Sequence, residues 1–336
     1  TFAVPYSLGE IKQNISIITN SNNTSTRNKF KEILINQAIK FHSQGNISKA
    51  GKYYKSLIDE DLADPRIYSN FATILQSMGD LKQAEYLLRK SIEIHPNHAD
   101  SYLNLGSILK DLDKLKEAEI ITREAIKIKP DWPIAYKNLG GILKDLDKLK
   151  EAEIFTRKAI DLKSDYAIAH FNLGNILHGL GKLKNAEISF RSSIELGFED
   201  ADAYSNLGAV LSNLGKLKEA EGSLRKALEL NPDSAEAHNN LGGVLSNLGK
   251  LREAEISIRK AIELKPGFKD PYFNLSYLEL LKGDYNSGLK NYEFRFKTKR
   301  PSTLCAIPII ERVDDNQLKA GEKLLVISEQ GLGDTL

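Results

Sequence analysis

Asn36, Asn70, Asn104, Asn138, Asn172, Asn206, Asn240 and Asn274 stand 34 residues apart without a break. An asparagine side chain offers a donor and an acceptor together, so one amide can pair with both the C=O and the N–H of a peptide unit, whatever side chain that unit carries. A row of them along a groove would hold an extended polypeptide without reading its sequence. The same amide can instead bond between neighbouring helices, and both uses stay open for each residue. A second candidate chemistry lies at the C-terminal end. There GEKLLVISEQGLGDTL reads as a buried strand, Lys323 to Ser328, running into a glycine-rich loop. Gly331 and Gly333 would let backbone approach an anion closely at the start of a helix, the way phosphate-binding loops are built. Asp334 suits the cap of that helix.

The comb requires elements that present the same face every 34 residues, and a period of that length marks a helical-repeat solenoid. Repeats begin at Lys31, Pro65, Ala99, Pro133, Ala167, Ala201, Ala235 and Lys269, and the register holds to about Arg300. In the third, ADSYLNLGSILKDL places Tyr102, Leu105, Ile108, Leu109 and Leu112 at helical spacing, a helix A that carries the comb residue at its sixth position. A short turn holding Asp113, or Gly181, Gly215 and Gly249 in other repeats, leads into LKEAEIITREAIKIKP. That segment is helix B, ended near Pro130.

Small residues recur where the pair must approach: Gly106, Gly140, Gly174, Gly208 and Gly242 in helix A, with Ala118 and its equivalents in helix B. A larger side chain there would wedge the helices apart. Groove positions are expected at five, nine and twelve, with Ser69, Ser205 and Asn239, then Ser107 and Gly141, then Ser212 and Ser246, which makes a roomy and nearly neutral surface. Glu at position 21 precedes Arg at position 25 in six repeats, an exposed pairing worth about 0.3 to 0.5 kcal/mol that reads as solvated surface.

Lys plus Arg (47) nearly balances Asp plus Glu (45), and the lysines of KLKEAE are interleaved with glutamates, so neither nucleic acid nor an acidic membrane is an expected partner. The single cysteine, Cys305, excludes an internal disulfide framework and any multi-cysteine metal site. The six histidines are too scattered for a metal: His95 and His98 flank the Pro96 turn, His170 and His238 occupy a packing position, and His42 and His178 lie in distant repeats. No stretch of about 18 apolar residues and no signal peptide is visible, so a cytoplasmic location is expected. The chain opens at Thr1 and stops in mid-motif at Leu336, which reads as a fragment at both ends.

An aromatic at the fourth position, Leu-Gly at the seventh and eighth, Ala at the twentieth and Pro at the thirty-second resemble the tetratricopeptide repeat over roughly 270 residues. Departures are mild: His170 and His238 stand at the fourth position, and Ser164 and Phe198 replace the proline. The resemblance implies an all-α, right-handed superhelical solenoid of about eight helix-turn-helix repeats, with helix A lining the concave side. Members that capture a C-terminal carboxylate carry Lys and Arg at the second and sixth positions. Here the second is often acidic (Asp100, Asp202, Glu236, Asp270) and the sixth is always Asn, so such a clamp is not expected.

Similar asparagine ladders hold protein substrates in the O-linked N-acetylglucosamine transferases. The passage from Tyr292, Phe294 and Phe296 to EQGLGDTL resembles bacterial proteins that join these repeats to a heptosyltransferase-like, two-Rossmann-domain glycosyltransferase. Composition and period divide the chain into residues 1–30, an extended arm and flexible linker, 31–300, the repeats, and 301–320, a linker. The resemblance implies 321–336 as the truncated start of a Rossmann-like domain. It also assigns Asp334 as a general base towards an attacking hydroxyl, an alternative to its role as a cap. No cofactor and no activity are expected of this fragment, and a nucleotide sugar is expected of the full-length protein. The function expected is a polypeptide-binding module that presents substrates to a glycosyltransferase. The competing reading is a non-catalytic interaction scaffold.

Overall fold

A computed structural model describes residues 24–60 and 64–297. The expected C-terminal strand, Gly331, Gly333 and Asp334 lie outside these residues, as does most of the N-terminal arm. Among the described residues sixteen α-helices follow one another: α1 (Thr24–Ser43), α2 (Ile47–Asp59), α3 (Pro65–Ser77), α4 (Leu81–Ile94), α5 (Ala99–Asp111), α6 (Leu115–Ile128), α7 (Pro133–Asp145), α8 (Leu149–Leu162), α9 (Ala167–Gly179), α10 (Leu183–Glu195), α11 (Ala201–Asn213), α12 (Leu217–Leu230), α13 (Ala235–Asn247), α14 (Leu251–Leu264), α15 (Asp270–Leu281) and α16 (Tyr285–Tyr292). A 3-10 turn, Glu293–Phe296, follows the last. Odd numbers are the helices A and even numbers the helices B. The chain divides into two compact units after Phe198, so α1 to α10 form the first and α11 to α16 the second. Helix α1 begins at Thr24, inside the polar stretch read from sequence as linker.

The turn between A and B has one conformational requirement. Position 15 is left-handed in every repeat: φ is 58° at Asp113 and 59° at Asp147, and 72 to 82° at Gly45, Gly79, Gly181, Gly215, Gly249 and Gly283. Glycine adopts this region without cost, and Asp is among the few other residues that tolerate it. The residue at position 15 donates its N–H to the carbonyl three back, as Gly215 does to Ser212 at 3.0 Å, and the next residue reaches five back, Lys216 to Leu211 at 2.9 Å. Two otherwise orphaned carbonyls of helix A are satisfied this way.

Packing within a repeat rests on position 8 against position 24. A Cβ built on Gly174 would come 2.7 Å from the Phe190 ring, and one on Gly208 2.6 Å from Leu224 Cγ; on Gly106 and Gly140 it would collide with Thr122 and Thr156. Those partners are fully buried. The alanines at position 20, from Ala50 to Ala254, have no exposed surface. In the last repeat Gly288 replaces that alanine, and a Cβ on it would lie 2.7 Å from Leu280 Cγ, so its helices pack closer still.

Between repeats, each helix A packs closely on the next helix A (α1 to α3, α3 to α5, α5 to α7, α7 to α9; and in the second unit α11 to α13, α13 to α15), whereas the backbones of successive helices B stay farther apart. Within each unit the helices A therefore form the crowded inner row. The helices B are tied across the outer gap by charge. Glu119 accepts from Arg123 at 2.9 Å in its own helix and from Lys148 of the next repeat at 2.8 Å, while Arg123 also reaches Glu151 at 3.1 Å. The pattern recurs at Glu85 with Arg89 and Lys114, and in the second unit at Glu221 with Arg225, Lys250 and Glu253. This corrects the reading of positions 21 and 25 as mere solvation: the glutamates are only 13 to 15% exposed and link neighbouring repeats. Burial pushes the Glu85, Glu119 and Glu153 carboxyls up, but the adjoining Lys and Arg outweigh it and hold them below the usual range. No helix among the described residues is long and apolar enough to cross a membrane.

Candidate polypeptide-binding face

The comb residues sit at one position of successive helices A. Asn36 is exposed and donates to Glu32 at a long 3.4 Å. The other seven are half-buried. Asn70 lies beside the buried Tyr54 hydroxyl without being aligned for a hydrogen bond; burial raises that phenol to about 12, the amide opposing it. Asn274 donates to the Asn239 side chain at 2.8 Å. Asn104, Asn138 and Asn172 in the first unit, and Asn240 in the second, make no side-chain hydrogen bond to the described residues.

The fifth position behaves otherwise. Ser69, Ser205 and Asn239 are 3 to 7% exposed, so these three are interior rather than groove-lining. Ser69 bonds Ser101 of the next repeat at 2.9 Å; Ser101 in turn meets Ser91 and His98 Nδ1, each at 2.8 Å. One residue along a helix turns the side chain by about 100°, enough to carry position 5 from the open face into the seam between helices A. Arg66, a basic residue at a second position, is occupied by Glu32 at 2.8 Å and Asp64 at 3.0 Å.

The fourth position also has a defined role. His170 Nε2 lies 3.0 Å from the Ser164 carbonyl, His238 Nε2 3.0 Å from that of Pro232, and Tyr272 donates to that of Pro266 at 3.2 Å. In these three repeats Tyr and Nε2-protonated His supply the same donor at the far end of the ring, whereas the Tyr68 hydroxyl at the same position is buried without a partner.

Sequence reasoning passed over one concavity beside the comb. Ser107, Lys110, Lys137, Asn138, Gly141 and Ile142 line a notch of about 60 Å³ between α5 and α7. Lys110 is held by Asp145 at 3.0 Å. The available signal was Lys137 itself, the one charged residue at a fifth position in the eight repeats. Among the described residues no group of three or more His, Cys, Asp or Glu is placed to hold a metal.

Family profiles described as tetratricopeptide repeat match residues 63–131, 134–166, 167–196, 201–234 and 223–256, together more than half of the chain. The chain belongs to the tetratricopeptide-repeat family. Its fold is similar to that of PilF from Pseudomonas aeruginosa, at TM-score 0.57 and 17% identity over 63% of this chain and 96% of that one. It is also similar to the Cut9–Hcn1 hetero-tetramer of the APC/C, at TM-score 0.60 and 16% identity over 86% of this chain and 56% of that one. YrrB, described as a tetratricopeptide protein with an unusual peptide-binding site, aligns at 29% identity over 53% of this chain and 92% of its own, with TM-score 0.45. A comparison with curated proteins gave no match. Tetratricopeptide arrays present extended surfaces to protein partners.

Proposed function

We propose that the row of helices A binds an extended polypeptide through the asparagine amides, sequence-independently. The observation that carries this is the state of Asn104, Asn138 and Asn172: half-buried, on consecutive touching helices, and unused by the protein's own hydrogen bonding. An amide kept only to join helices would be bonded to one. Packed helices lie about 8 to 10 Å apart and an extended chain advances about 3.3 Å per residue, so roughly every third peptide unit of a ligand would meet an amide.

The test is the triple variant Asn104→Ala, Asn138→Ala, Asn172→Ala against peptides selected on the unaltered protein. Each lost pair of hydrogen bonds is worth about 1 kcal/mol, so affinity should fall about a hundredfold with the melting temperature almost unchanged. Unchanged affinity with marked destabilisation would assign the comb to structure. The finer proposal, that bound polypeptide is presented to a glycosyltransferase domain opened by EQGLGDTL with Asp334 as base, is supported by the resemblance of that segment alone. Calorimetry of a longer chain with nucleotide sugars tests it, and absence of binding would sink it.

A further inference from the structure

Lys137 is half-buried on α7 and makes no hydrogen bond or ion pair with the described residues, whereas Lys110 beside it is anchored by Asp145. Both lysines line the same notch, together with Ser107 and the comb residue Asn138. Gly141 leaves its floor open: a side chain there would come within 3.6 Å of Lys110 Nζ. A charged group out of water normally finds a counter-charge. Here the charge of Lys110 is met by Asp145, whereas Lys137 has no counter-charge and only neutral polar side chains beside it. We propose that this notch receives a carboxylate side chain, Asp or Glu, of the polypeptide held along α5 and α7. The assignment rests on the reading of the helix A row as a polypeptide-binding face and adds to it one point of sequence preference. A side chain is specified because repeats continue on both sides of the notch in the same unit, so a chain lying along the row passes through and presents no terminus there. Burial, and after it the nearby Lys110, holds the Lys137 ammonium below its usual range, the condition that an incoming carboxylate would relieve.

The experiment uses three fluorescein-labelled peptides of about twelve residues, alternating Ser and Thr: one amidated with a central Glu, one amidated with Gln in its place, and the Gln peptide with a free C-terminal carboxylate. Anisotropy titrations should show the Glu peptide binding about tenfold tighter than the Gln peptide, the value of one charge-assisted contact, with the preference declining in high salt. Lys137→Gln should abolish the preference and melt no lower than the unaltered protein, since it removes an uncompensated charge. In the Asn104, Asn138, Asn172 triple variant both peptides should weaken together. Equal binding of the Glu and Gln peptides overturns the notch assignment and leaves the polypeptide reading standing. A gain confined to the free C-terminus overturns the side-chain source. Binding of none of them to the unaltered protein overturns the groove reading and this assignment with it. Marked destabilisation by Lys137→Gln makes the lysine structural and overturns the notch.

Discussion

Gly242 and Gly243 are adjacent in α13, and the same substitution should move stability in opposite directions at the two. Replacing Gly by Ala in a helix interior gains about 0.8 to 1.0 kcal/mol from backbone entropy, identically at both. The surroundings differ. A Cβ on Gly242 collides with Ile258 Cγ1 and lies 3.1 Å from its Cδ1 and 3.2 Å from the Ala254 carbonyl oxygen; on Gly243 it meets nothing within 4 Å. Ile258 is 1% exposed and the second obstacle is backbone, so the only relief is to move α13 away from α14. Overpacking of this kind costs about 1 to 3 kcal/mol. Gly243→Ala should therefore stabilise by about 1 kcal/mol and Gly242→Ala should destabilise by about 1. Propensity cancels in the comparison, so the gap of about 2 kcal/mol reports the steric contact itself. Urea unfolding followed by circular dichroism measures both, read from the midpoint at constant slope. In an Ile258→Ala background Gly242→Ala should lose most of its penalty, the part due to the Ala254 carbonyl remaining. The same sign for both glycines, or a penalty undiminished by Ile258→Ala, would refute the account of position 8 as a contact with position 24.

Two further outcomes follow from groups described above. The Thr122 and Thr156 hydroxyls are buried without a partner, so Thr122→Val and Thr156→Val should each stabilise by about 1 kcal/mol, and a lower melting temperature would show that the hydroxyl is bonded. Glu85, Glu119, Glu153, Glu221 and Glu255 have folded-state pKa values below the ordinary 4.5. Their contribution is thus complete above about pH 4.5 and lost as pH falls through the folded values; unfolding midpoints at descending pH should drop there, less so in high salt, and a flat profile would contradict the network.

Much of this architecture was readable before any coordinates, because the features that repeat are those a 34-residue period forces to repeat. The turn was visible as Gly or Asp at position 15, and the close approach of A and B as Gly at position 8 and Ala at position 20; that the glycine faces a buried residue at position 24 emerged only from the packing. What eluded sequence reading depends on angle or on neighbours in other repeats. Ser69 and Asn70 are adjacent and polar, yet one is sealed against Ser101 and the other faces outward, a distinction set by helix rotation rather than residue type. Glu119 looked like half of a pair within one helix; its second partner, Lys148, is 29 residues away and becomes a neighbour only when repeats stack. Lys137 escaped notice since a lone lysine is ordinary in a chain with 47 basic residues, and only the absence of a partner sets it apart.

The outer charge lattice uses the same few side chains at the middle joints of the first unit, Glu119 to Lys148 being chemically the joint Glu85 to Lys114 over again. Such joints carry no address: any middle repeat can follow any other. Copy number is then free to vary without redesign, so excision of one whole period, for instance residues 116–149, should leave an array with its register intact and its face one step shorter. Gain and loss of periods would act as a ruler, setting how long a partner the protein can span while the chemistry of each step stays the same.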